Sequence, residues 1–168
     1  AALLQISGRE AEGDLLAALK DHEPAVRRRA LLCLGSLGCS DPRVLEFLCG
    51  VVRRRQKDEA EEDDRLQIQA CQALAEIGRA APSTRSTMQP VLIQALDLQS
   101  GKGLLGRWSL TATRSDAVRA AICATLGQIV DTTAAEALIK LTKDKSPFLR
   151  ERAARALRQF QDRLSRRS

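Results

Sequence analysis

The stretch Pro24-Ala25-Val26-Arg27-Arg28-Arg29-Ala30-Leu31-Leu32-Cys33-Leu34-Gly35-Ser36-Leu37-Gly38 decides the fold. Its residues Val26, Ala30, Cys33, Leu34 and Leu37 are spaced i, i+4, i+7, i+8 and i+11, which puts them on one face of an α-helix. The same face returns three times: as Leu66, Ala70, Ala73, Leu74 and Ile77, as Val118, Ile122, Thr125, Leu126 and Ile129, and as Leu149, Ala153, Ala156, Leu157 and Phe160. A small residue holds the third position each time, as two closely packed helices require. Recurrence of one helical face along a chain is the signature of a repeat array.

The repeat reaches beyond the apolar positions. Lys20-Asp21-His22-Glu23-Pro24-Ala25-Val26-Arg27 aligns with Lys143-Asp144-Lys145-Ser146-Pro147-Phe148-Leu149-Arg150. Asp suits the free N–H groups that open a helix, and Pro suits the first turn, where its missing N–H costs nothing. Between these helices lie partner helices. Leu15, Leu16 and Leu19 mark one over 10–20, and Val44, Leu45, Leu48, Val51 and Val52 mark one over 42–56. Met88, Val91, Leu92, Ala95, Leu96 and Leu98 mark a third over 85–98, and Ala135, Leu138, Ile139 and Leu141 a fourth over 132–143. Each pair is a helical hairpin. Leu3 and Ile6 sit 31 positions before Leu34 and Leu37, so the chain is expected to begin inside an earlier repeat, as an excised piece of a longer protein or a partial cap.

The second helices recur at spacings of 40, 52 and 31 residues. The excess over the shortest spacing marks two insertions, one around 53–64 and one at 99–115. The first holds the acidic run Asp58-Glu59-Ala60-Glu61-Glu62-Asp63-Asp64, read as a solvated loop leading into a helix over 65–78. Insertions in repeat arrays map to loops, often on the binding face.

Composition narrows the function classes. Aromatic residues make up 2% of the chain, three Phe and one Trp with no Tyr, which disfavours an all-β fold. No apolar run approaches the roughly 20 residues needed to span a bilayer. The five cysteines, Cys33, Cys39, Cys49, Cys71 and Cys123, are odd in number and form no CxxC pair. That argues against a disulfide framework and for a reduced, cytoplasmic setting. With one histidine, His22, a metal site built from several His-Glu pairs is not expected, and a Ser/His/Asp set would rest on that single residue. The cysteines read as small core residues. Gly101-x-Gly103-x-x-Gly106 spells a dinucleotide fingerprint but lacks the strand that its mechanism requires.

Two groups of candidate binding residues remain. Leu104, Leu105, Arg107 and Trp108 lie in the second insertion. Trp and Arg are enriched in interface hot spots, but the apolar members also suit tucking back onto the array. Arg152, Arg155, Arg158 and Arg163 lie off the apolar stripe of the last helix. Residues 143–168 carry nine Lys/Arg against three acids, either a solvated face or a site for an acidic partner.

The pattern P-x-V-R-x-x-A-x-x-x-L-G-x-L-G at Pro24 to Gly38 resembles the HEAT-repeat family, and within it the short repeats associated with phycobilin lyases. The resemblance covers nearly the whole chain. It departs at Gln67, where Arg is expected, at Thr113, where the capping Asp is expected, and at Arg158, in place of Gly. It implies an all-α fold, an α-α superhelix of about four hairpins plus a partial N-terminal repeat, forming one domain over 1–168. It implies that Asp21 with Arg27 and Asp144 with Arg150 form a structural ladder between repeats. HEAT-like metal enzymes hold iron with several His-Glu pairs, which His22-Glu23 alone does not supply.

The expected function is a non-catalytic protein-interaction scaffold for a partner with an acidic surface, without cofactor, metal or membrane. The alternatives are binding of a nucleic-acid backbone by the basic last repeat, and a HEAT-like lyase or enzyme subunit. A paucity of aromatics for base stacking weakens the first alternative.

Overall fold

The computed structural model describes residues 11–54, 60–97, 115–129 and 132–165. Helix α1 covers 11–18, followed by α2 (Pro24–Ser36), α3 (Pro42–Arg53), α4 (Ala60–Ala80), a short 3-10 turn (Pro82–Thr84), α5 (Arg85–Asp97), α6 (Asp116–Ile129), α7 (Thr132–Leu141) and α8 (Pro147–Ser165). No strand occurs among the described residues. Sequential helices pair as hairpins, and the hairpins stack so that α2, α4, α6 and α8 form one layer and α3, α5 and α7 the other. The architecture is the expected all-α repeat superhelix.

Small residues set the spacing of the stack. A Cβ built on Gly35 of α2 would come within 2.9 Å of the Ala73 backbone in α4. One built on Gly127 of α6 would come within 2.7 Å of the Ala156 Cβ in α8. Between them, Thr125 of α6 donates its hydroxyl to the Cys71 carbonyl of α4 at 2.8 Å. Each junction thus sets the small third position of one repeat against the preceding helix, at backbone-to-backbone distance. The second-helix layer is packed more tightly than the first-helix layer. The array therefore bends toward α2, α4, α6 and α8, whose outer surface is the concave one.

The core runs continuously between the layers, through Leu31, Leu34, Leu48, Leu74, Ile77, Met88, Leu92, Ile122, Leu126 and Leu138. Three expectations need correction. Val26 and Leu37, expected in the core, are 39% and 61% exposed. Their equivalents Leu66, Ile77, Val118 and Ile129 are buried between successive repeats, whereas α2 stacks on α4 with its other side. The repeat expected before it, around Leu3 and Ile6, falls outside the described residues. Ile139 is 53% exposed, because the buried stripe of α7 is Ala134, Leu138 and Leu141 and Ile139 lies about 100° off it. Finally, α4 starts at Ala60 rather than near 65. The acids Glu61 to Asp64 make up its opening turns, where the helix dipole favours negative charge.

Candidate binding surface

The turns between helices are closed by side chains at one repeat position. Arg27 donates to the carbonyls of Asp21 and His22, both at 2.9 Å. Arg150 donates to those of Asp144 at 2.9 Å and Lys145 at 3.1 Å. Gln67, which replaces Arg in the second copy, donates to the Arg54 carbonyl at 3.2 Å. The two aspartates do not cap helices. Asp21 accepts from the Glu23 amide at 2.8 Å and Asp144 from the Ser146 amide at 3.0 Å, each two residues on and ahead of the proline that opens the helix. These bonds all lie within one repeat. At this turn a contact between repeats is made instead by Arg119, which donates to Asp144 at 2.5 Å and lies 3.5 Å from Asp116. Arg119 occupies the position of Arg27 in the third copy, so the repeat alignment contained this residue although the family pattern did not single it out.

Burial pushes the Asp144 carboxyl up, but the bonds from Arg119 and the Ser146 amide and the charges of Arg119 and Arg150 outweigh it and hold the group below its usual value. The cysteines sit in the core or at its edge. Burial raises the Cys39 thiol to about 11 and the Cys123 thiol to about 12. Since the thiolate is the reactive form, these groups are poor nucleophiles. Among the described residues, no cluster of His, Cys, Asp and Glu has the makings of a metal site, and no helix is long and apolar enough to cross a membrane.

The concave layer exposes a different set of residues. Leu32, Gln72, Ala124 and Arg155 occupy one repeat position and are all exposed. Beside them, Ser36, Glu76 and Gln159 form a second row. Leu32, Ser36, Gln72 and Glu76 line a groove of about 650 Å³ between α2 and α4, floored by Gly35 and Ala73. The close stacking that the small residues permit thus also shapes the groove. Leu32 is 44% exposed, one of few large apolar side chains at the surface, and the helical pattern gave no reason to choose it. Along the first row the side chains pass from apolar at α2, through amide and methyl groups, to guanidinium at α8, while the second row carries a hydroxyl, a carboxylate and an amide.

On α8 the arginines differ in their surroundings. The Arg152 guanidinium lies over the Phe148 ring at 5.1 Å, and Arg155 pairs with Glu151 at 3.1 Å. Arg158 is exposed at the position held by Gly35 and Gly127 in earlier copies, so it faces off the end of the stack rather than along the rows. The side chain of Arg163 lies outside the described residues, as do Leu104, Leu105, Arg107 and Trp108. Arg152 is thus half-buried against Phe148, while Arg155 and Arg158 are exposed.

A family model described as HEAT repeats matches residues 1–62 and 107–166. None of the curated proteins compared with the chain matches it. Arrays of this kind present extended concave surfaces on which other proteins bind. The matched segments cover most of the chain and include α2, α6 and α8, and on that ground the chain belongs to the HEAT-repeat family.

Proposed function

We propose that the chain is a non-catalytic protein-interaction module whose binding surface is the concave layer of α2, α4, α6 and α8. The observation that carries this reading is the aligned, exposed set Leu32, Gln72, Ala124 and Arg155, with the groove between α2 and α4. Such a set offers an apolar anchor, Leu32, at one end and a guanidinium, Arg155, at the other. A partner segment with an apolar side chain followed by acids matches it, since complementary charge sets orientation and encounter rate. An odd number of cysteines with no CxxC pair suits a reducing compartment, in line with a cytoplasmic location. Pushed-up thiols and a lone histidine in an exposed turn support a role without catalysis.

The test is a pull-down from cells that express the protein, comparing the wild type with Leu32→Arg/Ala124→Arg and with Arg152→Glu/Arg155→Glu, with and without nuclease. Proteins retained by the wild type after nuclease, and lost from both variants, are the expected outcome. Retention that ignores both variants rejects this face. Retention that vanishes with nuclease, together with salt-resistant binding of labelled duplex lost in Arg155→Glu/Arg158→Glu/Arg163→Glu, moves the function to nucleic acid.

A further inference from the structure

A second cavity lies away from the concave layer, at the edge where α5 ends, α6 begins and α7 turns into α8. It measures about 510 Å³. Leu96 and Leu141, both buried, line its apolar part. Its polar part is the rung between repeats, Arg119 with Asp116, Asp144 and Ser146, and around it stand Lys140, Lys143 and Lys145.

Charge and satisfaction here are unequal. Arg119 is only 8% exposed in its side chain. Its terminal nitrogens reach Asp144 and Asp116, but its Nε is buried with no hydrogen-bond partner among the described residues. The two carboxylates are already engaged. Asp144 accepts from Arg119 and the Ser146 amide, and Asp116 accepts from the Ser146 hydroxyl at 2.6 Å. The three lysines are exposed and have no ion-pair partner among the described residues. Four cations against two neutralised carboxylates leave the lining two positive charges in excess. In the equivalent turn of the first repeat, Ala17 and His22 stand where Lys140 and Lys145 stand here, so the fold itself does not ask for these lysines.

An excess of two charges and ammonium groups spread around the rim of the cavity together suit a dianion with several acceptor oxygens. We propose that this cavity is an oxyanion site that takes a phosphate monoester carried on a segment of the bound protein partner. The partner-borne part rests on the protein-interaction reading above; the oxyanion chemistry does not.

The test uses the full chain labelled with 15N, titrated at physiological salt with inorganic phosphate, and separately with a ten-residue peptide containing one phosphoserine and its unphosphorylated twin. Saturable shifts at the Arg119 Nε–H and the amides of 140–146 are expected with inorganic phosphate. The phosphopeptide should bind about tenfold more tightly, and the twin should leave these signals in place. Lys140→Ala/Lys143→Ala/Lys145→Ala should weaken phosphate at least about tenfold with Tm unchanged, since the substituted side chains are exposed. Unsaturable shifts that spread over the α8 arginines, or a triple variant that binds as before, overturn the site and mean that the lysines only complement the C-terminal end of α7. Equal affinity for inorganic phosphate and phosphopeptide overturns the partner-borne assignment. Failure of phosphate binding while the concave-face variants still lose their partners removes this inference alone.

Discussion

Two glycines show how single positions control the stack. Gly127 sits where a Cβ would come within 2.7 Å of the Ala156 Cβ and 2.9 Å of its Cα. Gly50, inside α3, has nothing within 4 Å of the same built atom. Gly127→Val is expected to destabilise the protein by about 3 kcal/mol, from overpacking at the junction. Gly50→Ala is expected to stabilise it by about 0.5–1 kcal/mol, because Ala loses less entropy than Gly in a helix. Urea denaturation of both variants checks this. A Gly127→Val protein as stable as the wild type would remove the close-stacking argument. The small third position at Ala73, Thr125 and Ala156 was legible in the sequence because it recurs. Its partner glycines were legible only as a family pattern, since which helix they meet depends on how the repeats stack.

At the scale of one helix, α3 carries the clearest local instructions. Asp41 accepts from the Arg43 amide at 2.7 Å, and Pro42 opens the helix. The Asp41 carboxyl also bonds the Arg43 guanidinium at 2.7 Å. The side-chain and amide bonds from Arg43 hold it below its ordinary value. Asp41→Ala is expected to cost about 1 kcal/mol, and Asp41→Asn much less, because Asn caps nearly as well. Thermal melts near neutral pH distinguish the two, and equal losses would locate the effect in the ion pair rather than the cap. Other elements were less legible. Of the acidic run read as a loop, Glu61 to Asp64 lie in the first turns of α4, because a polar helix turn and a polar loop carry the same composition. Ile139 read as core is exposed, because in the ten-residue α7 an apolar residue one position off the stripe is not distinguished by period alone.

For the whole molecule, the rung between Arg119 and Asp144 ties the last hairpin to the one before it. Asp144 is held below its ordinary carboxyl value of about 3.9. A group whose folded pKa is lowered adds stability above its unfolded value, and that stability is lost as pH falls through the folded one. Asp144→Asn is therefore expected to lower stability by about 1–3 kcal/mol at neutral pH, with the gap to the wild type closing below about pH 4. Hydrogen exchange adds a spatial check. In a nearest-neighbour array the loss should fall on α7 and α8 and spare α3. A uniform loss of protection, or a gap that persists at low pH, would contradict the assignment.

By itself the sequence determined the helical period, the hairpin order and the repeat positions. These are local or periodic properties, and they survive in one dimension. Tertiary structure alone decided which side of each helix is concave and that Leu32, Gln72, Ala124 and Arg155 are exposed on it. It also decided that Arg119 and the lysines of the α7–α8 turn meet at one cavity. Those facts come from helices separated by tens of residues and held at distances set by small side chains, and no window of the sequence contains that geometry.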